Sequence, residues 1–521
     1  MYNRSDLTGE ELVGLLPHVM GTQHPDNVSK VPFGPGPEVD RHLEEEEVLY
    51  NATVLGLPEL MIDYEKKQGG CTPLWDWLHR CPTCLEEKVI GRDFHVTPRI
   101  PNGDTDRDDP YFWQSMGIFV NSLLVMKRMG LSWLPFSEFI LPDASRGATL
   151  AEVERDIAGL FELQRAQYRH YGNGSSFPYE GKFFVQGIPL IETVEDLLDP
   201  EPIWDELIDR RRQLTGEETY VQRSFIARSD PALKAGLVPA LVAASVALHR
   251  GRQYERRTGI HVPQILGIGS APFRGGLTPE DRSIEAVLST YPGMATVTVQ
   301  SAFRYDYPEE EVIRAGRRLG EELGRGYLAR HDLGAGPGRE EVDALRGLIG
   351  VLKEAYEASY RELLPLVSRV AKAVPRRRER YTNVDVAGEA RRVGGLPAVR
   401  AIQYAASCYT LGLPPGVLGF RAWQELTDDQ RALAEATCPQ LRHWLLEELR
   451  FLNPDTARRL PEREDLPLLA QDLEAALAWA GRFSVDDAHA ERTSRAAAAL
   501  EGRGDLGEAL LAAASVRRFL G

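Results

Sequence analysis

From about residue 55 to 305 the chain repeats one theme: a short β-rich run that ends on a charged or polar side chain, followed by a helical stretch. The runs are ELMIDYE (59–65), DFHVTPRI (93–100), EFILPDA (138–144), KFFVQGIPLIE (182–192), TYVQRSFIARSD (219–230), HVPQILGIGS (261–270) and ATVTVQSAF (295–303). Between them lie longer segments such as 150–171 and 231–257, whose apolar residues recur at helical spacing. Strands that alternate with helices pair in parallel through crossover helices. Seven such units, with no Gly-rich dinucleotide fingerprint after the first strand, predict an α/β fold: a closed (β/α)₈ TIM-type barrel with extensive additional α-helices. An eighth strand is not evident; YTNVDVA (381–387) is the candidate.

A length of 521 residues would suggest three or four domains at about 150 residues each, but α/β barrels exceed that size as single units. The expectation is one domain over 1–521, with a barrel core at about 55–400 and a helical C-terminal region at about 425–521 that carries no catalytic signature. Against 77 Asp plus Glu stand 61 Lys plus Arg, a net charge of −16. That field repels polyanions, so nucleic acid is excluded as a partner, and any phosphate must be held by a local basic pocket. No window approaches 18 uninterrupted apolar residues and the N-terminus does not read as a signal peptide, so a cytoplasmic protein without membrane contact is expected. Five cysteines are an odd number in a long chain and argue against a disulfide framework. Cys81 and Cys84 form a CxxC near Cys71, His79 and His95, but no second pair completes a zinc set, and reduced thiols are expected.

In a barrel of this kind the reacting groups sit at the C-terminal ends of the strands. The polar run-ends are Asp63, Glu65, Arg99, Asp143, Glu192, Asp230, Arg274 and Arg304, a mixture of carboxylates and guanidiniums suited to metal-assisted chemistry on an anion. Glu192 and Asp230 end neighbouring runs and could share a hard divalent cation. They could equally be helix N-caps at strand-to-helix turns. Arg274 lies beside two glycines, an arrangement that permits a mobile loop to swing a guanidinium onto a phosphate or carboxylate, or an ordinary surface turn. His24 precedes a proline, which biases it away from helix; it could serve as a general base or be inert.

The segments TQHPDN (22–27), PLIET (189–193), ARSDPAL (227–233), GSAPFRGG (269–276), TVQSAFRYDYP (298–308) and VRAIQYAASCYTLGLPPGVLG (399–419) together resemble archaeal-type phosphoenolpyruvate carboxylase, in order and in spacing. PLIET and SDPALK also resemble segments of the larger bacterial and plant carboxylases that carry a metal-binding Glu and a metal-binding Asp followed by a Lys. The resemblance implies Glu192 and Asp230 as ligands of Mg²⁺ or Mn²⁺, and Lys234 as a phosphate contact. It implies His24 as the essential histidine, Arg274 as the arginine of a mobile loop, Arg99 as the strand-end arginine that holds bicarbonate or phosphate, and Arg400 and Arg304 as substrate-binding arginines. Gly21 stands where the archaeal-type motif usually has serine, and the CxxC has no counterpart.

The reaction so implied joins phosphoenolpyruvate and bicarbonate to give oxaloacetate and phosphate, by way of carboxyphosphate and the enolate of pyruvate. A homotetramer is the implied assembly. The alternatives are another metal-dependent barrel lyase or aldolase acting on pyruvate or phosphoenolpyruvate, and an inactive regulatory paralogue.

Overall fold

The computed structural model describes residues 5–40, 43–64, 88–108, 110–131, 134–171, 184–378 and 392–521. Cys71, Cys81, Cys84, His79, Glu65 and the segment 381–387 lie outside the described residues.

Eight parallel strands close into a barrel: β1 (Val19–Thr22), β2 (Glu59–Asp63), β3 (His95–Arg99), β4 (Glu138–Leu141), β5 (Gln186–Ile191), β6 (Ser224–Ala227), β7 (Gln264–Gly267) and β8 (Thr296–Val299). All seven expected runs contain a strand, each shorter than its run because only the paired residues count. The eighth strand corrects the expectation: it is β1, ahead of residue 55, which pairs with β2 and with β8 and closes the ring without residues 381–387. All four of its residues are buried, so VMGT has no in–out alternation and is too short to stand out from its flanks.

The barrel interior is stacked in layers. At the N-terminal end Arg223 donates to Glu59 at 2.8 and 3.0 Å and to Glu138 at 2.9 Å, an ion cluster that plugs the bottom. Above it Met20, Met61, Ile140, Ile188, Leu190, Phe225, Ala227 and Ile265 form an apolar layer. With the bottom and middle filled, open space is left at the C-terminal mouth.

The helix Leu237–Thr258 is apolar on almost every face of its first three turns because it is covered on every side, by the barrel within and by later helices without. Those later helices include Arg339–Ala371, Ala401–Thr410 and Leu441–Leu449, and their side chains join the same hydrophobic cluster as β6, β7 and β8. The C-terminal region is therefore part of the barrel's outer wall. Among the described residues no helix is long and apolar enough to cross a membrane.

Candidate active site

A cavity of about 160 Å³ opens at the C-terminal mouth and is lined by His24, Arg99, Glu192, Asp230, Arg274 and Arg400, together with Arg228, Ser229, Gln300 and Arg376–Arg378. The strand order explains the convergence, since each of these elements ends at the same rim.

Glu192 follows β5, and Asp230 lies in the first turn of the helix Ser229–Ala235 after β6, on the adjacent strand. Neither is an N-cap. Thr193 caps the helix Val194–Leu198 by accepting from Asp196 N–H, and the helix after β6 begins without a side-chain cap. Glu192 accepts the Asp143 N–H at 2.9 Å, and Asp143 adopts a left-handed φ of 48°. Burial, followed by the neighbouring carboxylates of Asp230 and Asp143, pushes the Glu192 carboxyl well above its usual range. The Arg99 guanidinium opposes that rise only in part, and a divalent cation between the carboxylates would favour their ionised form. The hydroxyl of Ser229 beside the pair is buried with no hydrogen-bond partner. Among the described residues no cluster of three or more His, Cys, Asp or Glu side chains could hold a metal. Two carboxylates that leave the remaining positions to substrate oxygens and water fit Mg²⁺ better than zinc.

The arginines are held in place by partners distant in sequence. The register of β2 and β3 sets Asp63 opposite Arg99, and the pair is bidentate, with Nη2–Oδ2 at 2.8 Å and Nε–Oδ1 at 3.2 Å. Arg274 is 1% exposed and donates to Gln300 Oε1 at 2.5 Å, to the Gly521 carbonyl at 2.5 Å and to Asp26 at 3.3 Å. In this conformation the guanidinium is turned into the barrel mouth and not out to solvent. Gly275 (φ 124°) and Gly276 (φ 74°) sit in backbone conformations that L side chains rarely adopt, and a Cβ would lie 2.4 Å from Ile268 and 2.2 Å from Trp444 respectively. The two glycines permit the close packing of this turn. Arg400 immediately precedes the helix Ala401–Thr410 and faces the same space. His24 follows β1, with Nδ1 2.9 Å from Thr22 Oγ1 and its carbonyl accepting from the Ser301 and Asp26 N–H groups.

Two expected contacts are not brought to the cavity wall. Arg304 is fully buried behind β1, where it donates to Asn51 Oδ1 at 2.7 Å, the Thr22 carbonyl at 2.5 Å and Glu47 at 3.3 Å. Its guanidinium is used in fixing the strand that presents His24. Lys234 points along the outer rim, 3.7 Å from Asp143 Oδ1, into a separate groove with Lys353 and Arg392. Lys234 stands in the last turn of the short helix whose first turn carries Asp230.

Sequence reasoning missed Arg228, Gln300, Asp26 and the run Arg376–Arg378. Asp26, Arg228 and Gln300 lie inside the segments TQHPDN, ARSDPAL and TVQSAFRYDYP, where nothing local marks their contacts; the run is visible as three successive arginines, with nothing to show that they reach the barrel mouth. Arg378 pairs with Glu47 at 2.5 Å. Burial alone would raise the Glu47 carboxyl, but the guanidiniums of Arg378 and Arg304 outweigh it and hold it at about 2. Because this folded-state value lies below the ordinary 4.5, the stabilisation is present above pH 4.5 and is lost as pH falls toward 2. It is worth about 3 kcal/mol by proton linkage. Glu47→Gln is expected to flatten the stability profile across that window, read by urea unfolding at a series of pH values.

A closed parallel barrel whose mouth holds two carboxylates, a histidine and a ring of buried arginines defines a class: barrel enzymes that handle small, multiply charged anions. The profile of the family described as phosphoenolpyruvate carboxylase matches residues 16–521. Phosphoenolpyruvate carboxylase of Methanothermobacter thermautotrophicus is 30% identical over 97% of this chain and 100% of its own length. The Halobacterium salinarum enzyme of that name is 32% identical over 97% of this chain and 99% of its own. That of Pyrococcus abyssi is 33% identical over 80% of this chain and 84% of its own. The chain belongs to the phosphoenolpyruvate carboxylase family.

Proposed function

We propose that the chain carboxylates phosphoenolpyruvate with bicarbonate, releasing oxaloacetate and phosphate, and that the reaction takes place in the cavity at the barrel mouth. The observation that carries this reading is the convergence of His24, Arg99, Glu192, Asp230, Arg274 and Arg400 on one cavity from distant parts of the chain.

Bicarbonate attacks phosphorus to give carboxyphosphate and the enolate of pyruvate; carboxyphosphate releases CO₂, which the enolate captures at its methylene carbon. One anion attacks another in the first step, so preorganised positive charge has to lower the barrier. Arg99, fixed by Asp63, and Arg400 and Arg376 across the mouth bind and orient phosphate and bicarbonate, while Arg377 and Arg378, paired with Glu38 and Glu47, add positive charge to the wall. Arg274, locked by Asp26 and Gln300, meets the charge that develops as the phosphoryl group moves. Glu192 and Asp230 would hold a divalent cation, Mg²⁺ or Mn²⁺, whose charge when bound offsets that of the phosphate and enolate oxygens. His24 accepts the proton of carboxyphosphate as it decomposes, with Thr22 setting the ring. Burial of Arg99, Glu192 and Arg274 limits the water that reaches the enolate and carboxyphosphate, both of which water destroys. Arg304 acts one layer further back by holding β1. The family resemblance also carries a homotetrameric assembly.

The test is oxaloacetate formation coupled to malate dehydrogenase, with bicarbonate present and absent. Turnover is expected only with bicarbonate, one phosphate being released per oxaloacetate. Activity without bicarbonate would favour an aldolase-type lyase, and no turnover with Mg²⁺ or Mn²⁺ would favour an inactive paralogue.

A further inference from the structure

The turn that carries Arg274 is gripped at Phe273 by two buried side chains. The Phe273 N–H donates to Tyr409 Oη at 3.2 Å, and the Phe273 carbonyl accepts from Arg228 Nη1 at 3.3 Å. Tyr409 in turn donates to Glu448 Oε1, whose other oxygen accepts the Gly416 N–H at 2.8 Å. Tyr409 and Glu448 are both fully buried, and neither lines the cavity. Tyr409 stands on the helix Ala401–Thr410 and Glu448 on the helix Leu441–Leu449; the latter also supplies Trp444, against which Gly276 is packed.

We propose that Tyr409, oriented by Glu448, is a positioning residue for Arg274: it holds the Phe273 peptide, and through it the guanidinium, at the angle the reaction needs. The proposal rests on the reading of Arg274 as a catalytic group. Two peptides flank Phe273 on the way to Arg274: Tyr409 holds the N–H of the first, Arg228 holds the carbonyl of the second, and the Arg274 N–H donates to the Ala271 carbonyl at 2.8 Å. Rotation of the Pro272–Phe273 peptide would break the bond to Tyr409, and rotation of the Phe273–Arg274 peptide would break those to Arg228 and Ala271, each costly to lose away from water. Burial also keeps the Tyr409 phenol well above its ordinary range, so it remains a proton donor to Glu448 at any working pH. A merely structural pair would be expected to grip the chain anywhere in the hydrophobic shell. This pair grips it at the residue next to the arginine that faces the cavity.

The test is a double-mutant cycle on the full-length enzyme with Tyr409→Phe and Arg274→Ala, reading kcat and KM separately. Y409F removes one hydroxyl and keeps the ring packed on Phe451 and Phe519. The expected result is a loss of kcat of about 10- to 50-fold with KM for phosphoenolpyruvate changed by no more than about threefold. In the R274A background the same substitution should cost no more than about twofold, because the group it positions is gone. An equal loss in both backgrounds, or wild-type turnover in Y409F, would overturn the positioning role while leaving that of Arg274 intact. Wild-type turnover in R274A would overturn both. If Y409F does not fold, Glu448→Gln, which keeps the hydroxyl and removes the charge behind it, takes its place in the cycle with the same expectations.

Discussion

Arg274→Ala is expected to lower kcat for oxaloacetate formation by about 100- to 1000-fold, the range seen when one preorganised donor to a developing anion is removed. Phosphoenolpyruvate binding should be partly retained, because Arg99, Arg400 and Arg376–Arg378 still line the cavity. The size of the effect follows from the burial of the side chain. Arg274 is 1% exposed and is already oriented by Asp26, Gln300 and the Gly521 carbonyl, so it needs no reorganisation when charge moves. Water admitted into the space left by alanine would also shorten the life of the enolate. Steady-state kinetics with the coupled assay measure the result. Full activity in R274A would remove this arginine from the chemistry without touching the family assignment.

Asp230→Asn should be at least as damaging, with a loss of about 1000-fold expected from removing half of a two-carboxylate cation site. Chelation of divalent cations should abolish wild-type turnover, and Mg²⁺ or Mn²⁺ should restore it. A readout independent of turnover is thermal unfolding. Ligand that binds only the folded protein raises Tm, by about 2.7 kcal/mol of stabilisation at 100 times its Kd. Mg²⁺ should raise Tm of the wild type and leave D230N unmoved. The burial that pushes the Glu192 carboxyl upward adds a second sign: D230N takes one of the neighbouring negative charges away, so the apo variant should unfold no more easily than apo wild type. A cation-induced Tm shift that survives D230N would place the metal elsewhere.

The barrel was legible because its signal is local. Alternation of a paired run with a helical stretch is written in consecutive residues, and each of the seven runs read in this way contains a strand. β1 was not legible, since four buried residues have no period to read. The candidate site was legible where a residue ends a strand: Arg99 and Glu192 lie at or just beyond the ends of β3 and β5, and Asp230 follows β6 by one short turn. It was not legible where facing depends on pairing with distant groups. Arg304 and Arg274 look alike as polar residues after a strand, yet Arg304 is drawn behind β1 by Glu47 and Asn51, more than 250 positions away in sequence. Lys234 and Asp230 share one short helix, yet Asp230 lines the cavity while the Lys234 ammonium lies 3.7 Å from Asp143 in a separate groove, a difference that spacing alone does not show.

The sequence by itself determined the parallel barrel, the family and the chemical types available at its rim, since periodicity and motif order are properties of neighbouring residues. Only the tertiary structure decided which guanidiniums face the cavity and which are consumed in ion pairs. It also showed that the helices after residue 400, without a catalytic motif of their own, form the back wall of the Arg274 turn through Tyr409, Trp444 and Glu448. The physical reason is that a buried charge is stable only where a partner meets it, and in this chain the partners come from the far end of the sequence.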